Sequence, residues 1–443
     1  MTKNASDGLW KVLGTGFGIA VTLGGILGTG ILRKPGEITA ALGDPLLVIG
    51  LWVVVGLYAL LGVSCVLELS LSIPRAGAWY VYAERAFGPY IGFLVGLSSW
   101  FGTVSAMAFG AYTLSEYLAL LFSPLSGYLI PAAVGILVFL WGFHQIGVIS
   151  GGKSQEVISS LKALALFVFI FLCWRYGEGG TLSENPPVPS GRLLVSGIIT
   201  ALLSIFYAYD GWHTAAYFTE ENRNPEKSLP KSMFLGIGLV IVIYLALNLV
   251  ILYTLPFHEL STSKLAAADA MKWIFGPETG KWITVFLALS IFGILNAEIM
   301  FAPRVIYSMA IDKIFWNKVT RVNSGGSPSV AIHFTALFAV LILVGGRKLG
   351  TRLSDVATFF FVASYISGFA SLIRLRKKEP ELRRPYKAWF FPYVPWLLLI
   401  ASAGFLAGAL VENRGTIVYL AVYLLLSYPV FLLIKGKTLP AVK

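Results

Sequence analysis

Residues 45–67 run without one charged side chain, and residues 233–255 do the same. A helix needs about 20 apolar residues to cross roughly 30 Å of hydrocarbon. Lipid offers the backbone no hydrogen-bond partners, so helices or closed barrels alone can span it. Runs of this length predict an all-α integral membrane protein. The same reading gives twelve candidate spans, at 12–42, 45–72, 87–122, 128–144, 154–174, 193–219, 231–255, 281–310, 329–345, 354–374, 389–410 and 416–434. The third is long enough to need tilt or projection beyond the bilayer. Composition agrees: 57% hydrophobic and 13% charged residues over 443 positions exclude an ordinary soluble domain.

The net charge of +12 is placed as topology demands, not as nucleic acid binding would. With both termini cytoplasmic, 23 of the 34 Lys and Arg fall inside and 11 outside. Seven of them lie in the stretch 374–387, read as a cytoplasmic anchor. The short polar N-terminus before a full-length span reads as a tail rather than a cleaved signal. Cys65 and Cys173 both fall within spans, where neither a disulfide framework nor a metal site is expected.

Within the first span, Gly24-Gly25-Ile26-Leu27-Gly28-Thr29-Gly30-Ile31 interrupts an uncharged stretch. Glycine loses more chain entropy on ordering than other residues and tolerates unusual dihedrals, so a helix unwinds readily there. Unwound backbone at membrane depth is tolerated only where protein or a watery cavity satisfies it. A second interruption, Phe206-Tyr207-Ala208-Tyr209-Asp210-Gly211-Trp212, stands at the matching place in the sixth span. Paired interruptions of this kind point to the substrate site of a secondary transporter. The competing reading is close helix packing at Gly-x-x-x-Gly seams.

Each broken span opens a group of five, on either side of the loop 176–192 with its proline-rich 186–189. The chain is therefore expected to form one domain, 1–443. It holds a 5+5 inverted repeat, the first half at about 12–174 and the second at about 193–374, with two extra spans at 389–434. Between spans seven and eight, residues 265–275 read as a short helix outside the bilayer, either capping the vestibule or lying on the membrane surface.

A half-helix beginning near Gly30 leaves the amides of Thr29, Gly30 and Ile31 free at a positive dipole end, suited to a carboxylate. Carbonyls at the end of the preceding half-helix, and at Phe206–Ala208, suit an ammonium. The match is an α-amino acid. Tyr207 is read as a gate over it, against the alternative of core packing. Asp210 is an intramembrane carboxylate; it reads as the N-cap of a half-helix beginning near Gly211 or as a reader of cationic substrates. Lys162 lies roughly 12 Å into the fifth span and Glu298 roughly 25 Å into the eighth, entered from the opposite side. The two are placed to pair. Lys162 can instead set its ammonium on the carbonyls of the first break, in the role of a sodium ion. Snorkelling to the interface is the third possibility.

The string Gly147-Val148-Ile149-Ser150-Gly151-Gly152-Lys153-Ser154 fits a phosphate-loop pattern, but no strand–helix alternation surrounds it. The four histidines are dispersed, and no nucleophile elbow is present. No enzyme and no cofactor are expected.

Three motifs carry a family resemblance. Gly28-Thr29-Gly30-Ile31 followed by Pro35-Gly36 resembles the first-span signature of the amino acid–polyamine–organocation superfamily. Pro74-Arg75-Ala76-Gly77-Ala78-Trp79-Tyr80-Val81-Tyr82 is similar to its loop after span two. Tyr207-Ala208-Tyr209-Asp210-Gly211-Trp212, with Glu220-Glu221, Asn224-Pro225 and Leu229-Pro230 after it, resembles the L-type amino acid transporter branch. The resemblance implies a leucine-transporter-like fold and alternating access. It implies substrate binding by the amides near Gly28, Thr29 and Gly30, with ammonium contacts around Ile26, Tyr207 and Ala208. Lys162 matches the lysine that replaces sodium in this branch; Asn296 and Arg304 fit its eighth-span pattern, and Glu298 departs from it. Animal members join a heavy chain through a cysteine between spans three and four. Residues 122–127 hold none, so no heavy-chain partner is expected, and the short termini resemble prokaryotic members. The chain is thus expected to be a sodium-independent amino acid transporter of the cytoplasmic membrane, exchanging neutral or diverse amino acids. Proton-coupled uptake, or cationic amino acid or polyamine transport through Asp210, is the alternative, with a channel or an intramembrane enzyme more remote.

Overall fold

The computed structural model describes residues 9–184, 188–345, 352–412 and 414–438; within these, the side chains of Thr29, residues 278–283, 286, 352, 412 and 414–421 and 436–438 lie outside the described set. The described residues are nearly all helical and contain no strand, only an isolated parallel bridge between Leu13 and Asn222. The first span is divided into α1 (Thr15–Ile26), α2 (Thr29–Arg33) and α3 (Pro35–Leu42). Next come α4 (Pro45–Ser72), α5 (Trp79–Phe87), α6 (Pro89–Leu121), α7 (Leu129–His144) and α8 (Val148–Tyr176). The chain continues through α9 (Gly191–Tyr209), α10 (Pro225–Thr254), α11 (Phe257–Thr262) and α12 (Ala266–Ile311). It closes with α13 (Ser329–Gly345), α14 (Arg352–Lys378), α15 (Tyr393–Glu412) and α16 (Arg414–Thr438).

Local chemistry sets several of these boundaries. Pro45 opens α4 where no amide is required, and the Asp44 carboxylate accepts from the Leu46 and Leu47 amides at 2.6 and 3.0 Å. Gly88, at φ 96°, turns the chain directly before Pro89 opens α6.

Among the described residues, nine helical stretches are long and apolar enough to cross a membrane, with shorter apolar helices at Leu129–His144, Ser329–Gly345 and Val422–Lys435. Their outward faces are greasy: Leu164, Phe171, Val242 and Ile400 are all exposed. Their inward faces pack Trp52, Trp79, Trp100 and Trp212 out of contact with any solvent. The result is a multi-pass membrane protein.

Two expectations change in detail, and a third holds. The fifth span begins at Val148, not near 154, so the phosphate-loop look-alike lies in the opening turns of α8 and the chain just before it. Ahead of the eighth span the expected short helix is present: it begins at Ala266, and Gly276, at φ 75°, separates it from the span. After the second break no α-helix starts at Gly211. Residues 210–213 form a turn, and a 3₁₀ segment, Thr214–Phe218, follows.

The basic run 374–387 has structural partners of its own. Arg376 grips the buried Glu68 with two 2.6 Å bonds, Arg384 adds a 3.2 Å ion pair, and the Ala388 amide donates to the same carboxylate at 2.6 Å. Arg384 also caps the Leu375, Glu379, Pro380 and Leu382 carbonyls. One inward-facing acid therefore folds this segment back onto α4.

Candidate functional site

The end of α1 leaves carbonyls without helical partners, and their destinations define the site. Leu23 is satisfied by the Leu27 amide at 2.9 Å. Gly24 and Leu27 both accept from the Lys162 ammonium, at 2.9 and 2.5 Å. The Ile26 carbonyl takes the hydroxyl of Tyr244, at 2.7 Å. Upstream, Val21 accepts from Thr214 at 3.1 Å and Ala20 from Ser159 at 2.7 Å. Side chains from three other elements thus do what the next helical turn would have done.

Lys162 is fully buried on α8 and reaches this site through Gly293, where a Cβ would come 3.2 Å from its Cδ. The ammonium is seated on the carbonyl end of α1, in the position expected of a cation there. It makes no ion pair with Glu298, so the expected pairing gives way to the carbonyl contacts, although the two groups remain within electrostatic reach. Two carbonyl dipoles fix an ammonium in place without a carboxylate.

At the second break the Asp210 amide closes on the Phe206 and Tyr207 carbonyls, at 3.0 and 3.3 Å, and ends α9. The Ala208 carbonyl accepts from Tyr244 at 2.7 Å, the same hydroxyl that faces Ile26. The single proton of that hydroxyl is shared between the carbonyls of both breaks. Asp210 does not cap a following helix, because none begins there; its carboxylate accepts from the Tyr365 hydroxyl of α14 instead. Tyr207 is buried, its ring edge-on to Phe109 at 5.5 Å. Trp212 packs among Trp79, His213 and Tyr365.

The two breaks meet main chain to main chain. A Cβ at Gly30 would lie 2.4 Å from the Ala208 Cα, and one at Gly211 would lie 2.4 Å from the Gly25 oxygen. Gly28 faces Ile294 of α12, where a Cβ would fall 2.7 Å from the Ile294 Cγ2. The amides of Thr29, Gly30 and Ile31 precede the first helical bond of α2, and the backbone of Thr29 opens that helix. Ile26, Gly28, Gly30, Tyr207, Ala208, Asp210 and Lys162 therefore gather at one place, joined there by α12 through Ile294.

Sequence reasoning missed Tyr244, Tyr365, Thr214, Gln155 and Ser159. Gln155 donates to Ser159 and accepts from Asn296, whose oxygen meets the His144 ring at 2.9 Å. The available signal was a hydroxyl and an amide, Tyr244 and Asn248, four apart in the otherwise apolar run 233–252; Asn248 caps the Tyr244 carbonyl at 2.8 Å. Tyr365 carried no such signal, since an aromatic in a span usually packs.

Removing the Tyr244 hydroxyl tests the bridge. Tyr244→Phe removes the single proton that the Ile26 and Ala208 carbonyls share, at a cost of about 1–3 kcal/mol. Transport is expected to fall about five- to fiftyfold in purified protein in liposomes while the fold persists. A rate within twofold of the parent would show the bridge to be incidental.

Two interrupted spans joined through buried polar groups, in a bundle of membrane helices, are the architecture of a secondary transporter. The amino acid permease family profile matches residues 16–431, and the chain belongs to that family, resembling its L-type branch. It is 30% identical over 415 residues to the serine/threonine exchanger SteT of Bacillus subtilis (strain 168), covering 91% of this chain and 92% of that one. It is 27% identical over 432 residues to the human b(0,+)-type amino acid transporter 1, covering 93% and 85%. Against the human large neutral amino acids transporter small subunit 2 it is 28% identical over 395 residues, covering 86% and 72%. The chain is an amino acid permease, not an enzyme.

Proposed function

We propose that this permease exchanges amino acids across the cytoplasmic membrane by alternating access, without sodium, with neutral or diverse substrates. The observation that carries the reading is the Lys162 ammonium on the Gly24 and Leu27 carbonyls, a fixed cation where a mobile one would otherwise be needed. The amides of Thr29, Gly30 and Ile31 hold the substrate carboxylate. The carbonyls of Ile26 and Ala208 take its ammonium in place of the Tyr244 hydroxyl, and Tyr207 closes over the site. Similarity to an exchanger supports the obligatory swap. We place both termini in the cytoplasm, by the distribution of Lys and Arg, and the two repeats at about 12–174 and 193–374. Cys65 and Cys173 are both free and buried, which supports a reading without a disulfide-linked heavy chain.

Purified protein in sodium-free liposomes tests this. Uptake of labelled L-serine, L-alanine or L-leucine is expected to rise at least fivefold when vesicles hold unlabelled amino acid. Uptake indifferent to the internal load, or one that needs sodium, would overturn exchange. A second reading, transport of cationic substrates, is favoured by Asp210 beside the second break; inhibition by L-arginine but not by L-leucine would select it.

A further inference from the structure

The charged side chains at the level of the breaks do not balance. Lys162 is one cation, while Asp210 and Glu298 are two carboxylates, 9% and 5% exposed. Glu298 lies within electrostatic reach of both the others. Asp210 has the Tyr365 hydroxyl as a donor. Glu298 has no hydrogen bond among the described residues, and its Oε2 is buried without a partner. It stands one turn beyond Ile294, the residue packed against Gly28, so both share the face of α12 turned to the first break.

The other titratable groups nearby have partners of their own. Arg304 is held bidentately by Glu221, at 2.5 and 2.7 Å, and stacks 4.2 Å over Phe218. The His144 ring bonds Asn296. His213 is enclosed by Trp79, Trp212, Tyr217 and Tyr365. Tyr217 bonds Ser99 at 2.8 Å. The one cation among them, Arg304, is already paired.

One ammonium offsets one carboxylate. A second ionised carboxylate held out of water costs several kcal/mol unless a cation joins it. A neutral amino acid, being a zwitterion, brings no net charge. We propose that Glu298 makes up the difference by carrying a proton: the site takes a neutral amino acid together with one proton on this carboxyl, and a substrate bearing an additional positive charge binds with Glu298 ionised. The proposal rests on the exchange reading and adds its coupling ion. A Glu298 oxygen takes a proton from water on the side to which the site is open, forming one O–H bond. The proton returns to water when the site opens on the other side. When a neutral and a cationic amino acid are exchanged, the proton accompanies the neutral one, and both crossings carry equal charge.

The test uses full-length protein with L-alanine, L-serine and L-leucine as probes. Apparent affinity for them is expected to fall up to about tenfold per pH unit once pH passes the titration of Glu298. In Glu298→Gln, a fixed mimic of the protonated acid, that variation shrinks to under twofold between pH 5.5 and 8.5; Glu298→Asp restores it. Calorimetry of the unmodified protein in buffers of different ionisation enthalpy gives a check independent of variant folding: up to one proton taken up per amino acid bound. No proton uptake at any pH in that range, or an undiminished slope in Glu298→Gln, would overturn the proposal. Protein that binds none of the probes at any pH overturns the exchange reading instead.

Discussion

Replacing Lys162 with methionine is expected to lower amino acid exchange at least a hundredfold while changing thermal stability little. The buried ammonium bonds Gly24 and Leu27, and bonds to a charged donor contribute about 1.5–3 kcal/mol each. At 1.36 kcal/mol per factor of ten, losing even one such contact from the cycle costs more than tenfold, and losing both exceeds a hundredfold. Stability responds differently. Two carbonyls lose their donor, but a fully buried charge also disappears, and replacing buried charge by apolar volume is often neutral or favourable. Exchange assays in liposomes, alongside melting in detergent, separate the two effects. A variant keeping a third of the parental rate would mean that the ammonium holds the fold rather than the transport cycle.

The second large effect is expected at Gly211. Its φ of 100° belongs to the region L side chains avoid, and a Cβ there would press on the backbone of Gly25 at 2.4 and 2.6 Å and on the Ile26 nitrogen at 3.1 Å. Main chain cannot rotate aside as a side chain can. The left-handed conformation costs roughly 1–2 kcal/mol and overpacking about 1–3 kcal/mol, so Gly211→Ala is expected to lose about 2–5 kcal/mol of stability and at least nine-tenths of exchange. Gly50→Ala in α4 is the control. A Cβ there meets nothing within 4 Å, and alanine favours a helix interior by about 1 kcal/mol over glycine. Similar melting losses in both variants would refute the argument.

Both predictions concern residues whose positions were readable from the chain. Uncharged runs such as 45–67 announce helices because hydrocarbon admits little else, and the glycine cluster at 24–30 announces a break because such a run makes a helix easy to unwind. Whether Lys162 turns to Glu298 or to the carbonyls was not readable. That choice depends on which face of α8 packs against α1, and a one-residue rotation of a helix carries a side chain through about 100°. Asp210 shows the same limit. Its sequence position beside Gly211 is that of a cap, and only the absence of an α-helix after it frees the carboxylate for Tyr365. Tyr244 was hidden for another reason: its meaning lies in two carbonyls, Ile26 and Ala208, that stand 218 and 36 residues from it in the sequence, and no local pattern reports that meeting.

The far end of α1 carries its own fastening. The Leu13 amide donates to the Glu221 carbonyl at 3.0 Å, and the Arg223 amide returns a bond to the Leu13 carbonyl at 2.9 Å. With Gly211 lodged against Gly25 at the other end, α1 and the strip from 211 to 223 are riveted at two points, like the rails of a ladder. Neither can swing alone. Any rocking of α1 therefore carries the strip with it, and the shear falls where the pair rests on α8, α10 and α12.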